Sequence, residues 1–197
     1  MSSMRSLSAV LLILAIVWPA ACAEAPIPPE RRVMTLTEDE LNAAKEFDAR
    51  VKDYLALHRK LEATLPKLSK ESTPEEVDKN QRALGALIKA ERAGAKRGEF
   101  FTPGMGALVR RTLKAVLAGP DAKTIKGSIM DENPGVPGLS VNDRYPDEVP
   151  LSTMPPQVLE PLPKLDEDLE YRFVGKRLVL LDVHAHIIVD LTDNVLP

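Results

Sequence analysis

Leu169-Glu170-Tyr171-Arg172-Phe173-Val174-Gly175-Lys176-Arg177-Leu178-Val179-Leu180-Leu181-Asp182 is the stretch whose reading decides the fold. Apolar Leu169, Tyr171 and Phe173 alternate with Glu170 and Arg172, the period-2 signature of a half-buried strand. Gly175-Lys176 suits a two-residue hairpin turn, and Leu178 to Val183 returns as a second strand. That turn sets Phe173 opposite Leu178 and Tyr171 opposite Leu180, giving one apolar face. The β-branched run Ile187-Ile188-Val189 adds a third strand. Three strands are marginal alone, so the meander over 169–197 is expected to pack on helices.

Upstream, residues 131–163 carry eight prolines and little apolar periodicity. The segment 128–168 is therefore expected to be an acidic, Pro-rich and mostly extended stretch with short turns, either an ordered wrap or a linker, with no regular element in 131–163. Three helices are expected before it, in a helical domain over 37–127. Thr37 stands three residues before Glu40, a capping box, and Phe47, Val51, Tyr54, His58, Leu61, Leu65 and Leu68 follow at spacings of four and three along one seam. Pro66 breaks that helix before the seam ends. Thr73-Pro74-Glu75-Glu76 starts a second helix with a thin apolar face of Val77, Leu84, Leu87 and Ile88. The short connection makes the two an antiparallel hairpin, although the seam could equally meet a second copy of itself in a homodimer. Thr102-Pro103 starts a third helix with a stripe of Met105, Leu108, Val109, Leu113, Val116 and Leu117, ended by Gly119-Pro120. The fold class is α+β, mainly α.

The N-terminus has the shape of an export signal. Arg5 precedes the apolar stretch Leu7–Trp18, and Pro19-Ala20-Ala21-Cys22-Ala23 supplies the small residues of a cleavage site. This twelve-residue stretch rises about 18 Å as a helix, short of a bilayer core of about 30 Å. Residues 1–23 are thus expected to leave, and 24–36, with Pro26, Pro28 and Pro29, to form an extended tether. Ala20-Ala21-Cys22 also resembles the end of a bacterial lipoprotein signal, with Pro19 in the slot that family fills with Leu. That resemblance implies lipidation at Cys22 and a membrane-anchored protein in place of a soluble periplasmic or extracellular one.

Of 197 residues, 26 are basic and 29 acidic. A net charge of −3 argues against a nucleic-acid binder, and a single cysteine removes any intrachain disulfide framework. Loss of residues 1–23 leaves 25 bases against 29 acids and takes Cys22 with it. The charge is uneven: balanced over 35–100, +4 over 101–127 and −8 over 128–170. Arg110, Arg111 and Lys114 on the third helix are expected to be met by those acids, or else to hold an anionic envelope polymer.

Val179-Leu180-Leu181-Asp182-Val183-His184-Ala185-His186 resembles the metal-binding strand of the amidohydrolase superfamily, in which an Asp-x-His-x-His segment presents two histidines to a divalent metal. The resemblance implies His184 and His186 as ligands, with Asp182 or Asp190 as a third and a bound water as nucleophile, because on an extended strand both imidazoles face one way. It does not extend to the barrel of about 250 residues that carries the motif in that superfamily, since helices and a Pro-rich stretch precede it here. The simpler expectation for both histidines is a strand end or turn with exposed imidazoles, and for His58 a polar slot in a helix contact. The overall arrangement is similar to small exported bacterial proteins of unknown function, a resemblance that implies no activity. The leading expectation is a non-enzymatic envelope module with a protein or envelope partner and no cofactor. The alternative is a metal-binding or metal-dependent hydrolytic protein using a divalent ion such as Zn²⁺.

Overall fold

A computed structural model describes residues 35–131, 133, 135, 138–152 and 154–196. The expected signal, nearly all of the tether and Cys22 lie outside these residues. The elements run α1 (Glu38–Glu62), α2 (Pro74–Glu91), α3 (Pro103–Val116), α4 (Ala122–Asp131), α5 (Pro156–Leu159), β1 (Leu169–Val174), β2 (Arg177–Asp182) and β3 (Ile187–Thr192). The protein is α+β and mainly α, with a three-stranded antiparallel sheet in the order β1-β2-β3.

Local chemistry accounts for the helix starts. Thr37 and Glu40 close a capping box on α1, and Thr73 and Glu76 close another on α2, each satisfying two backbone N–H groups that a helix start leaves without partners. Thr102 caps α3 ahead of Pro103. Along α1, Phe47, Val51, Tyr54, His58 and Leu61 are all buried, as their spacing predicts. The seam fades beyond Leu65, which is partly buried against the core: Leu68, beyond Pro66, is 46% exposed, and Val77 at the start of α2 is 42% exposed. What covers the seam is in this chain. Phe47 packs on Phe101 and Tyr171 with ring centroids 5.9 and 6.2 Å apart, and Tyr54 meets Phe100 edge-on at 6.1 Å.

The hairpin register is the one the alternation predicts, with Tyr171 opposite Leu180 and Phe173 opposite Leu178. Gly175 takes a φ of 60° in the turn, where a side chain would cost backbone strain. The sheet is covered on both faces, which explains the unbroken apolar runs of β2 and β3. Leu178, Leu180 and Val189 join the helices in the main core. Val179, Leu181, Ile188 and Leu191 form a second cluster with Tyr145, under Leu139 and Val149 of the Pro-rich segment.

That segment is an ordered wrap where it is described. Asn142 and Tyr145 donate backbone N–H bonds to Ile188 and His186, and Ile188 donates back to Asp143, forming a β-bridge between Arg144 and Ile187. Two features correct the expectation from sequence. Residues 131–163 do contain a regular element, the single turn α5, whose Val158 is fully buried. Helix α4 follows directly after Pro120, anchored by Ile125 and Ile129. The proline that ends α3 stands just where a new helix tolerates it, ahead of its first turn.

Candidate functional site

Asp182 ends β2 and is completely buried. Its Oδ1 accepts the backbone N–H of Ala185 at 2.7 Å. Such a side-chain bond to the backbone imposes a turn in place of further strand. Residues 183–186 accordingly form a turn, and His186 adopts a left-handed φ of 55°. The alternation that would have aimed His184 and His186 the same way is lost. His184 is half exposed and lies beside Asp168 and Glu62, whereas His186 is mostly buried against Tyr145, with its Nε2 3.7 Å from Asp147. The two predicted ligands are not brought together.

Asp182 instead meets two residues of α1. Its Oδ2 accepts a hydrogen bond from the Tyr54 hydroxyl at 2.6 Å and lies 2.6 Å from His58 Nδ1. In the neutral imidazole whose Nδ1–H donates to this carboxylate, the lone pair of His58 is on Nε2. Nε2 is buried and has no hydrogen-bond partner. One helical turn on, Glu62 places Oε2 3.8 Å from it, and the other oxygen of Glu62 lies 3.6 Å from His184 Nδ1. Asp168 Oδ1 is 3.4 Å from the same His184 nitrogen. One donor atom each from His58, Glu62 and His184 lies within 4.8 Å of the others. Ligands of a tetrahedral Zn²⁺ at 2.0–2.2 Å stand about 3.3 Å apart, and Glu62 and His184, the two members that could adjust, are both half exposed.

Burial of His58 opposes its protonation, but the Asp182 hydrogen bond and the charges of Asp182, Asp168 and Glu62 outweigh it and raise the pKa. His186 is shifted the other way: burial and Arg144 lower its pKa, with Arg82 adding to them and Asp147 opposing. Burial and the Asp182 charge push the Tyr54 hydroxyl well above its usual value, so it remains a donor.

Asp190 lies elsewhere and serves the fold. Its carboxylate accepts backbone N–H bonds from Gly98, Phe100, Phe101 and Leu191 at 2.8–2.9 Å. The basic cluster of α3 is reduced as well, since Arg111 forms a two-pronged pair with Glu40 of α1. That pair, first among several contacts, holds the Glu40 carboxyl below its ordinary pKa. The acids of the wrap go to other partners: Asp166 and Asp168 to Arg59, Asp147 to Arg82 and Arg144.

Glu62, Asp168 and Tyr54 were not singled out as site residues from sequence. His58 and Glu62 are four apart on one helix, a spacing that puts two donors on one face, and this is the local signal that could have found them. Beside the site runs a groove of about 690 Å³ whose walls include Glu62 and His184. Comparison with family models, with curated proteins and with solved structures finds no match, so the functional reading rests on this chemistry.

Proposed function

We propose that the protein binds a divalent transition metal of the Zn²⁺ type through His58, Glu62 and His184, with Asp182 as the group that orients His58. The observation that carries this reading is the Nε2 atom of His58, buried, unpartnered and facing a carboxylate and a second imidazole. A buried polar nitrogen left without a partner is costly, by about 1–3 kcal/mol, and a metal ion would satisfy it. An imidazole that donates its other N–H to a carboxylate is the usual support of a metal-bound histidine. Two imidazoles and one carboxylate suit Zn²⁺, and three protein ligands leave one position for an exchangeable ligand.

The reading keeps two imidazole ligands, as the sequence resemblance implies, but exchanges His186 for His58. Asp182 becomes the support and Glu62 the ligand. It is combined with export, which the residues Leu7–Trp18 and Ala21-Cys22-Ala23 support, and which would leave nitrogen and oxygen donors as the only good ligands in a thiol-free chain. Metal analysis after purification without chelator tests it. Stoichiometric metal in the wild type and its loss in His184→Ala support the proposal. A metal-free wild type whose melting temperature ignores both EDTA and added Zn²⁺ refutes it.

A further inference from the structure

Resting on the metal reading above, we propose that the groove beside His184 takes a small-molecule monocarboxylate with an apolar tail, its carboxylate held between the metal's open position and Lys67. Glu62 and His184 belong to both the metal set and the groove wall, so a ligand in the groove reaches the metal. The groove runs between the end of α1, the 63–68 loop, the first turns of α2 and the β2–β3 turn. Its volume of about 690 Å³ lies inside the range of ordinary small-molecule sites.

The lining has two chemistries. Leu68 and Val77, two of the few large apolar side chains left exposed among the described residues, both face this groove, together with Pro66 and Val183. These supply an apolar wall that no part of the described chain covers. The cations at its edge differ in what they are free to do. Arg59 is committed to Asp166 and Asp168. Lys67 has no ion-pair partner among the described residues and stays available for an anion. A metal at one end and an unpaired ammonium beside it favour a carboxylate head over a neutral or cationic one, and Leu68 and Val77 favour an aliphatic tail.

The test is calorimetric, on the full chain, with octanoate as probe. Zn²⁺ uptake is measured first and separately. The proposal expects octanoate to bind the Zn²⁺-loaded protein, to bind the metal-free protein much more weakly, and octan-1-ol and octylamine not to compete. Lys67→Ala and Val77→Asp, both at exposed positions, should each weaken octanoate by about tenfold and leave Zn²⁺ stoichiometry unchanged. A protein that takes up Zn²⁺ but ignores octanoate overturns the groove proposal alone, as does octanoate binding that is indifferent to Zn²⁺ or to Val77→Asp. Failure to take up Zn²⁺ overturns the metal reading itself.

Discussion

The Nδ1 atom of His58 lies 2.6 Å from Oδ2 of Asp182, although 124 positions separate the two residues along the chain. This contact ties the C-terminal part of α1 to the end of β2 and leaves Nε2 as the imidazole nitrogen without a hydrogen-bond partner. Because Asp182 also accepts from Tyr54 and from the Ala185 backbone, its removal leaves three buried donors unmatched. Asp182→Ala should therefore cost at least about 3 kcal/mol, from about 1–3 kcal/mol for each buried donor left without an acceptor. Tyr54→Phe, which keeps the ring and loses one bond, should cost about 1 kcal/mol. Urea unfolding of metal-free protein measures both, and equal losses for the two variants would contradict this assignment.

The carboxylate of Asp190 is the second buried acid whose role is structural. Four backbone N–H groups, three of them from the 98–101 loop, converge on it. Asp190→Ala should destabilise the protein by at least about 3 kcal/mol through orphaned donors, without changing metal uptake in whatever fraction remains folded. A melt that is unchanged in this variant would show that the loop finds other acceptors.

Much of this was legible from sequence, and what was not has a common cause. The caps at Thr37 and Thr73 and the Tyr171–Leu180 register follow from neighbours a few residues apart or from a single turn. The wrap over the back of the sheet does not, because the order of Asn142 and Tyr145 depends on the carbonyls of Ile188 and His186, more than 40 positions later. The candidate site failed in the same way. Asp182 and His184 carried a visible motif, whereas the partner that changes its meaning, His58, sits on a helix whose pattern reads only as core. The Asp182 turn then overrode the strand geometry on which pairing His184 with His186 relied.

Tyr145 anchors that wrap: it is 1% exposed and packs among Val179, Leu181 and Ile188. Truncation to Ala at a fully buried aromatic costs about 3–5 kcal/mol. Tyr145→Ala should also raise amide exchange in residues 139–150 and at the backbone of Ile188. Exchange confined to position 145 would mean that the wrap is held without this ring.

His186 predicts a pH effect with a definite sign. Its folded pKa is depressed below the ordinary value near 6.5, by burial first and by Arg144 and Arg82, against the opposing charge of Asp147, with the neutral Tyr145 ring beside it. The unfolded chain then binds the proton more readily, so stability is lost as pH falls through the unfolded pKa toward the folded one. Denaturant melts of metal-free protein between pH 7 and about pH 5 should show a steeper loss for the wild type than for His186→Asn. Asn is chosen because it tolerates the left-handed backbone at this position. Parallel curves for the two proteins would remove His186 as a source of acid sensitivity.

The central claim is that His58, Glu62 and His184 hold a metal, and calorimetric titration of the metal-free full chain with Zn²⁺ near neutral pH tests it most directly. The account predicts stoichiometric, saturable binding that is abolished by Glu62→Gln and His184→Ala, weakened about 10–100-fold by Asp182→Asn, and retained by His186→Asn. Absence of saturable binding in the wild type, or binding lost with His186 and kept without Glu62, would contradict it.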